Sequence, residues 1–206
     1  MALDSASVLL LAGSKSIGAD FSDVMMVGRQ LFGPGRAVLE KVLAAFNIAE
    51  DADALLKNKY ADRFFMAMGA ARVESLDLSA YEGASHRHDL NLPLPPELRG
   101  RYSLVHDGGT LEHVFNLPQA LKNCMEMVRP GGYFTQVSCG NNLMGHGFWQ
   151  LSPEMIFRVF SPPNGFSVRA VLLHELRRKK RWVVVTDPAA AQRRVELVND
   201  MCQPTS

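Results

Sequence analysis

Short apolar runs bounded by turn residues alternate along this chain with segments that carry apolar residues at helical spacing. Such runs are typical of buried strands, and apolar residues spaced every three or four positions are typical of helices that bury one face. The pattern predicts strands, in chain order, at 23–27, 72–77, 85–91, 102–105, 133–137 and 166–174, with a further candidate at 182–186.

Helices are predicted between several of these strands. Apolar residues recur at helical spacing over 37–46, and helical patterns continue through 52–59 and 60–68. This stretch is longer than one crossover helix, so the region of about 36–68 leaves room for a helical cap or insertion. Residues 8–12 fit either a strand or a helical turn.

Helix start signals complete the order of elements. Asn116 and Ser152 each precede a proline in the first turn of a predicted helix, and 187–198 is predicted as a final helix. Alternating strands and helices predict an α/β fold. We expect a single domain, residues 1–206, with a doubly wound, Rossmann-like, mostly parallel sheet of about six or seven strands and helices on both faces.

The stretch 102–116 carries most of the candidate chemistry. A buried strand is followed by Asp107, Gly108 and a second glycine, and then by Glu112 and His113. Ligands of parallel sheets bind beyond the carboxyl ends of the strands, and glycine lets the backbone approach a ligand closely. This loop is therefore predicted to form part of a ligand site.

The same stretch resembles a known family. Leu-Val-His-Asp-Gly-Gly-Thr-Leu-Glu-His-Val at 104–114, followed by Arg-Pro-Gly-Gly-Tyr-Phe at 129–134, is similar to the second half of a class I S-adenosylmethionine-dependent methyltransferase. In that family the fourth strand ends near an acid, a Leu-Glu-His-Val-like segment follows, and a Pro-Gly-Gly turn leads into strand five. The resemblance covers roughly residues 70–175 and implies S-adenosylmethionine as the cofactor.

The resemblance also implies roles for acidic residues at the strand ends. Asp77, at the end of the second strand, would accept hydrogen bonds from the ribose hydroxyls, with an N-cap or turn carboxylate as the alternative. Asp89 would lie beside the adenine amino group. The remaining residues implied to bind or shape the cofactor pocket are Asp107, Gly108 and Glu112.

The loop after the first strand departs from the family pattern. The family carries a Gly-x-Gly-x-Gly turn there, whereas this chain has Gly28, Arg29 and Gln30. Side chains would then have to make the contacts that backbone N–H groups make in a glycine-rich turn. Gly28 and Arg29 are predicted to bind the cofactor, with the Arg29 guanidinium pairing with the carboxylate of its methionine part. The alternative is a surface or substrate-facing Arg29.

A second unusual loop, 138–150, follows the fifth strand. Its amide side chains can hydrogen-bond polar groups without carrying charge, and adjacent aromatic residues can exclude water. Asn141, Asn142 and Gln150 are therefore predicted to bind substrate. The alternative is a structured loop whose amides satisfy its own backbone.

Two histidines are the candidate general bases, because an unperturbed imidazole titrates at a pKa of about 6.5. His146 lies between two glycines in the second loop and is predicted to face the methyl acceptor. His113 is predicted to help shape the cofactor pocket and is the second candidate base, with a structural strut between strand and helix as the alternative.

Charge indicates no polyanion-binding surface, since the formal net charge is +1. The basic run 177–181 is the exception, and it is either a solvated turn or a contact for nucleic acid or acidic lipid. A metal site is not predicted, because His86 and His88 have no further ligands at a recognisable spacing. Nothing in the sequence indicates an oligomeric state.

The cysteines and the first apolar run bear on location. The three cysteines are scattered and have no paired spacing, which favours reduced thiols in the cytoplasm. The run 7–12 is too short to span a bilayer and lacks the features of a signal peptide. We expect a cytoplasmic protein without a membrane span.

The predicted function is methyl transfer from S-adenosylmethionine to a small-molecule or glycan-type acceptor, which makes an enzyme the favoured class. The alternative is a catalytically inactive methyltransferase-like binding or scaffold protein, and the missing glycine-rich turn favours it. A nicotinamide enzyme lacks support because no Gly-x-Gly-x-x-Gly follows a predicted strand, and a hydrolase lacks a Gly-x-Ser-x-Gly elbow.

Overall fold

A computed structural model describes residues 2–175 and 182–193 of the chain. It divides into two compact units, which meet in sequence between Ser138 and Cys139. The strands of unit 1 are β1 (Ala2–Leu3), β2 (Asp23–Val27), β3 (Leu31–Phe32), β4 (Arg72–Asp77), β5 (His86–Arg87), β6 (Tyr102–Asp107) and β7 (Val128–Gln136). Its helices are α1 (Ser5–Ser16), α2 (Arg36–Ala45), α3 (Ala52–Leu56), α4 (Asp62–Ala67) and α5 (Leu117–Met127).

The central sheet of unit 1 has the order β5-β4-β2-β6-β7, and every neighbouring pair is parallel. From β2 the chain adds β4 and β5 on one side, and then returns to add β6 and β7 on the other. Val27, the last residue of β2, lies opposite Leu76 of β4 and Asp107 of β6. The strand order therefore reverses between β2 and β6, which is where such sheets bind ligands.

One face of the sheet is buried by the first four helices. Because side chains alternate along a strand, Val24 and Met26 face the same side. They join Leu104 in one core cluster with buried apolar side chains of α1, α2, α3 and α4. The segment 36–68 thus contributes core residues, and its role as a cap stays a prediction. Residues 8–12, which fitted a strand or a helix, lie in α1.

The second face of β6 and β7 is covered by α5. The Asn116 side chain caps this helix by accepting the Gln119 N–H at 3.5 Å, and a proline stands in the first turn, as predicted. Helices thus flank both faces, and the predicted doubly wound α/β fold is confirmed.

The central sheet is smaller than predicted, with five strands among the described residues instead of about six or seven. The third strand shrinks from 85–91 to His86–Arg87, because Asp89 accepts the Asn91 N–H and turns the chain. The predicted strand at 166–174 shortens to Leu172–His174, since the Phe166 ring packs against Phe160 at 5.6 Å instead.

Unit 2 contains α6 (Pro153–Val159), β8 (Leu172–His174), β9 (Trp182–Val184) and α7 (Pro188–Ala191). Strands β8 and β9 form their own antiparallel pair. Ser152 caps α6 by accepting the Met155 N–H at 3.3 Å, as predicted. The basic run 177–181 and the end of the predicted final helix lie outside the described residues. No helix in the described part of the chain has the length and apolar character needed to cross a bilayer.

Candidate functional site

The carboxyl edge of the central sheet includes the loops that follow β2, β4, β5 and β6, and these four loops lie in unit 1. Gly28 turns the chain directly after β2 with a positive φ of 72°, and its N–H donates to Leu76 O of β4 at 2.8 Å. This φ lies in the left-handed region, where glycine costs least. The predicted Gly28 turn is present, but the two residues after it carry large side chains.

Arg29 is held by protein groups at this edge. Its guanidinium donates to Glu82 O at 2.8 Å and Gly83 O at 3.0 Å, pairs with Asp62 at 3.2 Å, and lies 4.2 Å from the centre of the Tyr60 ring. Arg29 therefore ties the loop after β4 to the start of α4. Its predicted contact with a cofactor carboxylate stays a prediction, and it would have to be made alongside or in place of these partners.

Gln30 fills the space between the ends of β2 and β6. Its side chain is fully buried, and Nε2 donates to Val27 O at 2.9 Å and to Gly28 O at 3.1 Å. The Oε1 atom has no hydrogen-bond partner among the described residues. A Cβ built on Gly108 would lie 2.4 Å from that Oε1, so the packing of Gln30 accounts for glycine at position 108.

This packing predicts the behaviour of Gly108→Ala. The new Cβ would force the Gln30 carboxamide out of its place, so the free energy of unfolding should fall by about 1–3 kcal/mol. Chemical denaturation measures this free energy. In a Gln30→Ala background, Gly108→Ala should lower the free energy of unfolding by less than about 0.5 kcal/mol. Equal costs in the two backgrounds would show that Gln30 is not what Gly108 accommodates.

Asp107, at the end of β6, is a fully buried carboxyl group. One oxygen accepts the Thr110 N–H at 2.8 Å and the other accepts Gln136 Nε2 at 3.0 Å. Burial raises the pKa of Asp107 to about 7, and the neighbouring Glu112 adds to the rise. One of these bonds holds the loop after β6 and the other joins β6 to β7, so we interpret Asp107 as a support of this loop. The predicted contact of Asp107 and Gly108 with a cofactor stays a prediction.

His106, the residue before it, points to the opposite face of the sheet, and the motif analysis did not single it out. Its Nδ1 lies 3.0 Å from Thr135 Oγ1, and its ring lies 6.1 Å from that of Phe65. Its Nε2 is buried and has no hydrogen-bond partner within the described residues. Burial lowers the pKa of His106 to about 4, so the imidazole is neutral at physiological pH.

Asp77 and Asp89 lie in the outer half of the carboxyl edge, at the ends of β4 and β5. Asp77 is half-buried, and its Oδ1 accepts the Ser79 N–H at 3.1 Å. Asp89 Oδ1 accepts the N–H of Asn91 at 2.9 Å, and this bond holds the pKa of Asp89 below its usual value. Asn91 in turn contacts Asn116 N at 2.8 Å, which joins the loops after β5 and β6.

Glu112 and His113 lie in a short 3₁₀ helix in the loop after β6. Glu112 is buried and accepts a hydrogen bond from the Ser138 hydroxyl at 2.9 Å, whereas His113 is exposed. His86 and His88 were the histidines considered from the sequence as metal ligands, and they have separate partners. His86 Nε2 contacts Glu74 at 2.9 Å, and His88 Nε2 contacts Leu92 O at 3.2 Å.

Residues 139–150 of the second predicted loop belong to unit 2, and the candidate residues of this loop are exposed. They are Asn141, Asn142, His146 and Gln150. Gln150 Oε1 accepts the Leu143 N–H at 3.3 Å, which is the self-satisfying arrangement that the sequence left open as an alternative. The substrate-binding and general-base roles of this loop stay predictions.

The chain is similar to solved structures at low sequence identity. No protein-family model matches the chain, and no curated protein matches it. Among solved structures, it is similar to an S-adenosylmethionine-dependent methyltransferase from Mesorhizobium loti, at 15% identity and a TM-score of 0.38 over 89% of this chain. A second similarity, to a candidate methyltransferase from Bacillus halodurans, has 13% identity and a TM-score of 0.42 over 83% of this chain.

The chain spans 64% of the length of the first of these proteins and 72% of the second. TM-scores below 0.5 do not show a shared fold, so we assign the fold from the order of the parallel strands. By that order, residues 2–138 have the doubly wound, Rossmann-like fold that the resemblance to class I methyltransferases implies.

Proposed function

We propose that the carboxyl edge of unit 1 binds S-adenosylmethionine and that the protein transfers its methyl group to a small-molecule or glycan-type acceptor. The observation that carries the proposal is the reversal of strand order between β2 and β6. Acidic residues lie at the strand ends on both sides of this point, with Asp77 ending β4 and Asp89 following β5 on one side, and Asp107 ending β6 on the other. Asp77 and Asp89 offer the hydrogen-bond acceptors that the hydroxyl and amino groups of a nucleoside need.

The residues present fit the two parts of this cofactor to different degrees. The nucleoside part finds a half-buried carboxylate, Asp77, in a loop that a ligand can approach. The amino-acid part would lie toward Gly28 and Gly108, where Gln30 is packed. The cofactor therefore fits this edge with its nucleoside at β4 and β5, and its amino-acid end requires the Gln30 side chain to move.

The chain's own residues would bind the nucleoside, shape its site and remove a proton. Asp77 would accept hydrogen bonds from the ribose hydroxyls, Asp89 would accept a hydrogen bond from the adenine amino group, and Asp107 would hold the loop after β6 in place. When bound, S-adenosylmethionine supplies an electrophilic methyl group, and transfer is an in-line displacement governed mainly by alignment. If the acceptor is a hydroxyl or an ammonium group, His146 or His113 would remove its proton.

Replacing Asp77 by alanine tests the cofactor site. Hydrogen bonds to a charged group contribute about 1.5–3 kcal/mol, so Asp77→Ala should weaken adenosylhomocysteine binding by roughly 10- to 100-fold. Isothermal titration calorimetry measures this change. The matched control is Asp53→Ala, which removes an exposed carboxylate that pairs with Arg36 in the α2–α3 region. Equal affinities for the two variants would contradict the assigned role of Asp77.

A second candidate is a binding or scaffold protein without catalysis, and the buried Gln30 and engaged Arg29 favour it. The two candidates differ in turnover. A protein that binds adenosylhomocysteine but forms none from S-adenosylmethionine across a panel of acceptors would support the second candidate. Formation of adenosylhomocysteine that depends on one acceptor would support the enzyme.

A further inference from the structure

We propose that Gln30 determines which adenosyl ligands the site accepts. At the end of β2, its carboxamide occupies the place of a hydrogen-bond donor to two backbone carbonyl groups. It excludes the amino-acid end of a ligand from this place until the side chain moves. In this resting state the site takes a nucleoside without an amino-acid tail more readily than the full cofactor. The inference rests on the proposed function, because it concerns the same site.

Two backbone carbonyl groups accept the hydrogen bonds of the Gln30 carboxamide. Val27 O and Gly28 O both accept from Gln30 Nε2, at 2.9 Å and 3.1 Å. They lie at the carboxyl end of the central strand, beside the point where the strand order reverses. The ammonium group of an amino acid is a donor that carbonyl oxygens attract. It would compete with the Gln30 NH₂ group for these two acceptors.

The oxygen atom of the same carboxamide is not hydrogen-bonded to any described residue. This atom, Gln30 Oε1, is buried against Gly108. A buried acceptor without a partner costs free energy that is recovered when the group reaches water or a donor. Displacing the carboxamide breaks two hydrogen bonds of Nε2, but it also relieves the unpaired buried Oε1, which lowers the cost of displacement by a ligand.

The backbone around Gln30 is anchored, so the side chain alone can move. Gln30 O accepts the Ala61 N–H at 3.0 Å, and the next residue, Leu31, forms an antiparallel bridge with Tyr60. Arg29 on the other side is tied to Asp62 and to the loop after β4. A rotation of the Gln30 side chain would open the space beside Gly108 without displacing the loop.

The test compares two ligands with the same adenine and ribose ring, adenosine, which has a 5′-hydroxyl group, and adenosylhomocysteine, which has a thioether-linked homocysteine tail at that position. Calorimetric titration of the full chain gives the affinity of each for the wild type and for Gln30→Ala. We expect the variant to bind adenosylhomocysteine at least tenfold more tightly and adenosine within about twofold of the wild type. Thermal unfolding checks that the variant is folded.

Three results are decisive. Unchanged or weakened adenosylhomocysteine binding by a folded Gln30→Ala variant overturns the role of Gln30 and leaves the proposed function standing. Absence of binding of both ligands to the wild type and the variant overturns the proposed function and the inference with it. Selective tightening for adenosylhomocysteine supports both.

A measurement on the wild type covers the case in which the variant does not fold. In ¹⁵N spectra, the Gln30 side-chain NH₂ protons should exchange slowly with solvent in the free protein and with adenosine, because they are buried and hydrogen-bonded. They should exchange quickly once adenosylhomocysteine is bound. Slow exchange in all three samples, with both ligands saturating, would contradict the proposed displacement.

Discussion

Asp107→Asn is expected to raise the free energy of unfolding at pH 8 by about 2–4 kcal/mol and to leave it nearly unchanged at pH 4. Burial raises the pKa of the Asp107 carboxyl to about 7 in the folded protein, whereas an unfolded aspartate titrates near its ordinary pKa of 3.8. As the pH rises between these values, the unfolded chain loses this proton first, and stability is lost. Asparagine is neutral throughout and avoids the loss.

Asparagine can also keep the local hydrogen bonds. Its Oδ1 can accept the Thr110 N–H, and the Gln136 amide can turn so that its oxygen accepts from asparagine Nδ2. Denaturant unfolding of both proteins at pH 4, 6 and 8 measures the effect. The opposite result would be a variant less stable than the wild type, with a larger difference at pH 8 than at pH 4. It would show that the folded protein favours the ionised carboxylate.

His106→Leu is expected to make the protein more stable than the wild type at pH 4.5 by about 3 kcal/mol. Burial lowers the pKa of His106 to about 4, below its ordinary value of 6.5. The folded protein therefore keeps a neutral imidazole while the unfolded chain takes up a proton as the pH falls. This contribution to stability is complete above pH 6.5 and is lost toward pH 4. Leucine carries no titrating group.

At pH 7.5 the same substitution should change stability by less than about 1.5 kcal/mol, because leucine suits an apolar site and one buried hydrogen bond to Thr135 is lost. Urea unfolding at the two pH values gives the comparison, with Thr135→Val as the control that removes the same hydrogen bond and keeps the imidazole. If the control gains as much stability at pH 4.5 as His106→Leu, the imidazole is not responsible.

His106 and Asp107 also make the free energy of unfolding depend on pH in opposite directions. Between pH 4 and 6.5, rising pH stabilises the fold through His106 and destabilises it through Asp107. The contributions largely cancel in the wild type. Asp107→Asn should therefore gain stability with rising pH over this range, and His106→Leu should lose it.

The central strands were predictable because their residues satisfy local and global requirements together. β2 and β4 occupy the predicted ranges 23–27 and 72–77, where an apolar or alternating run is bounded by turn residues. β7 was predicted to begin after its Pro-Gly-Gly turn, but it already pairs with β6 at Val128 and resumes at Tyr133. An irregular pairing of this kind leaves no mark in a hydrophobic pattern.

The roles of polar residues at the strand ends were less predictable. A sequence shows that Asp107 follows an apolar strand, but not whether its carboxyl group faces a ligand or is buried beneath the loop. Gln30 carries no motif, and its position depends on the contact with Gly108, seventy-eight positions further along the chain. His106 is two residues from Leu104 in β6, so both side chains face the same side of the sheet. This alternation indicates burial, which a search for chemical motifs does not detect.

We propose that the carboxyl edge of unit 1 binds an adenosyl cofactor, with the nucleoside at β4 and β5. Backbone ¹H–¹⁵N chemical shifts recorded during an adenosylhomocysteine titration test it most directly. We expect saturable shifts concentrated at 28–30, 77–79, 89–91 and 107–110. Shifts confined to the opposite edge of the sheet, around Asp20, Asp23 and Arg129, or no shifts at saturating ligand, would contradict it.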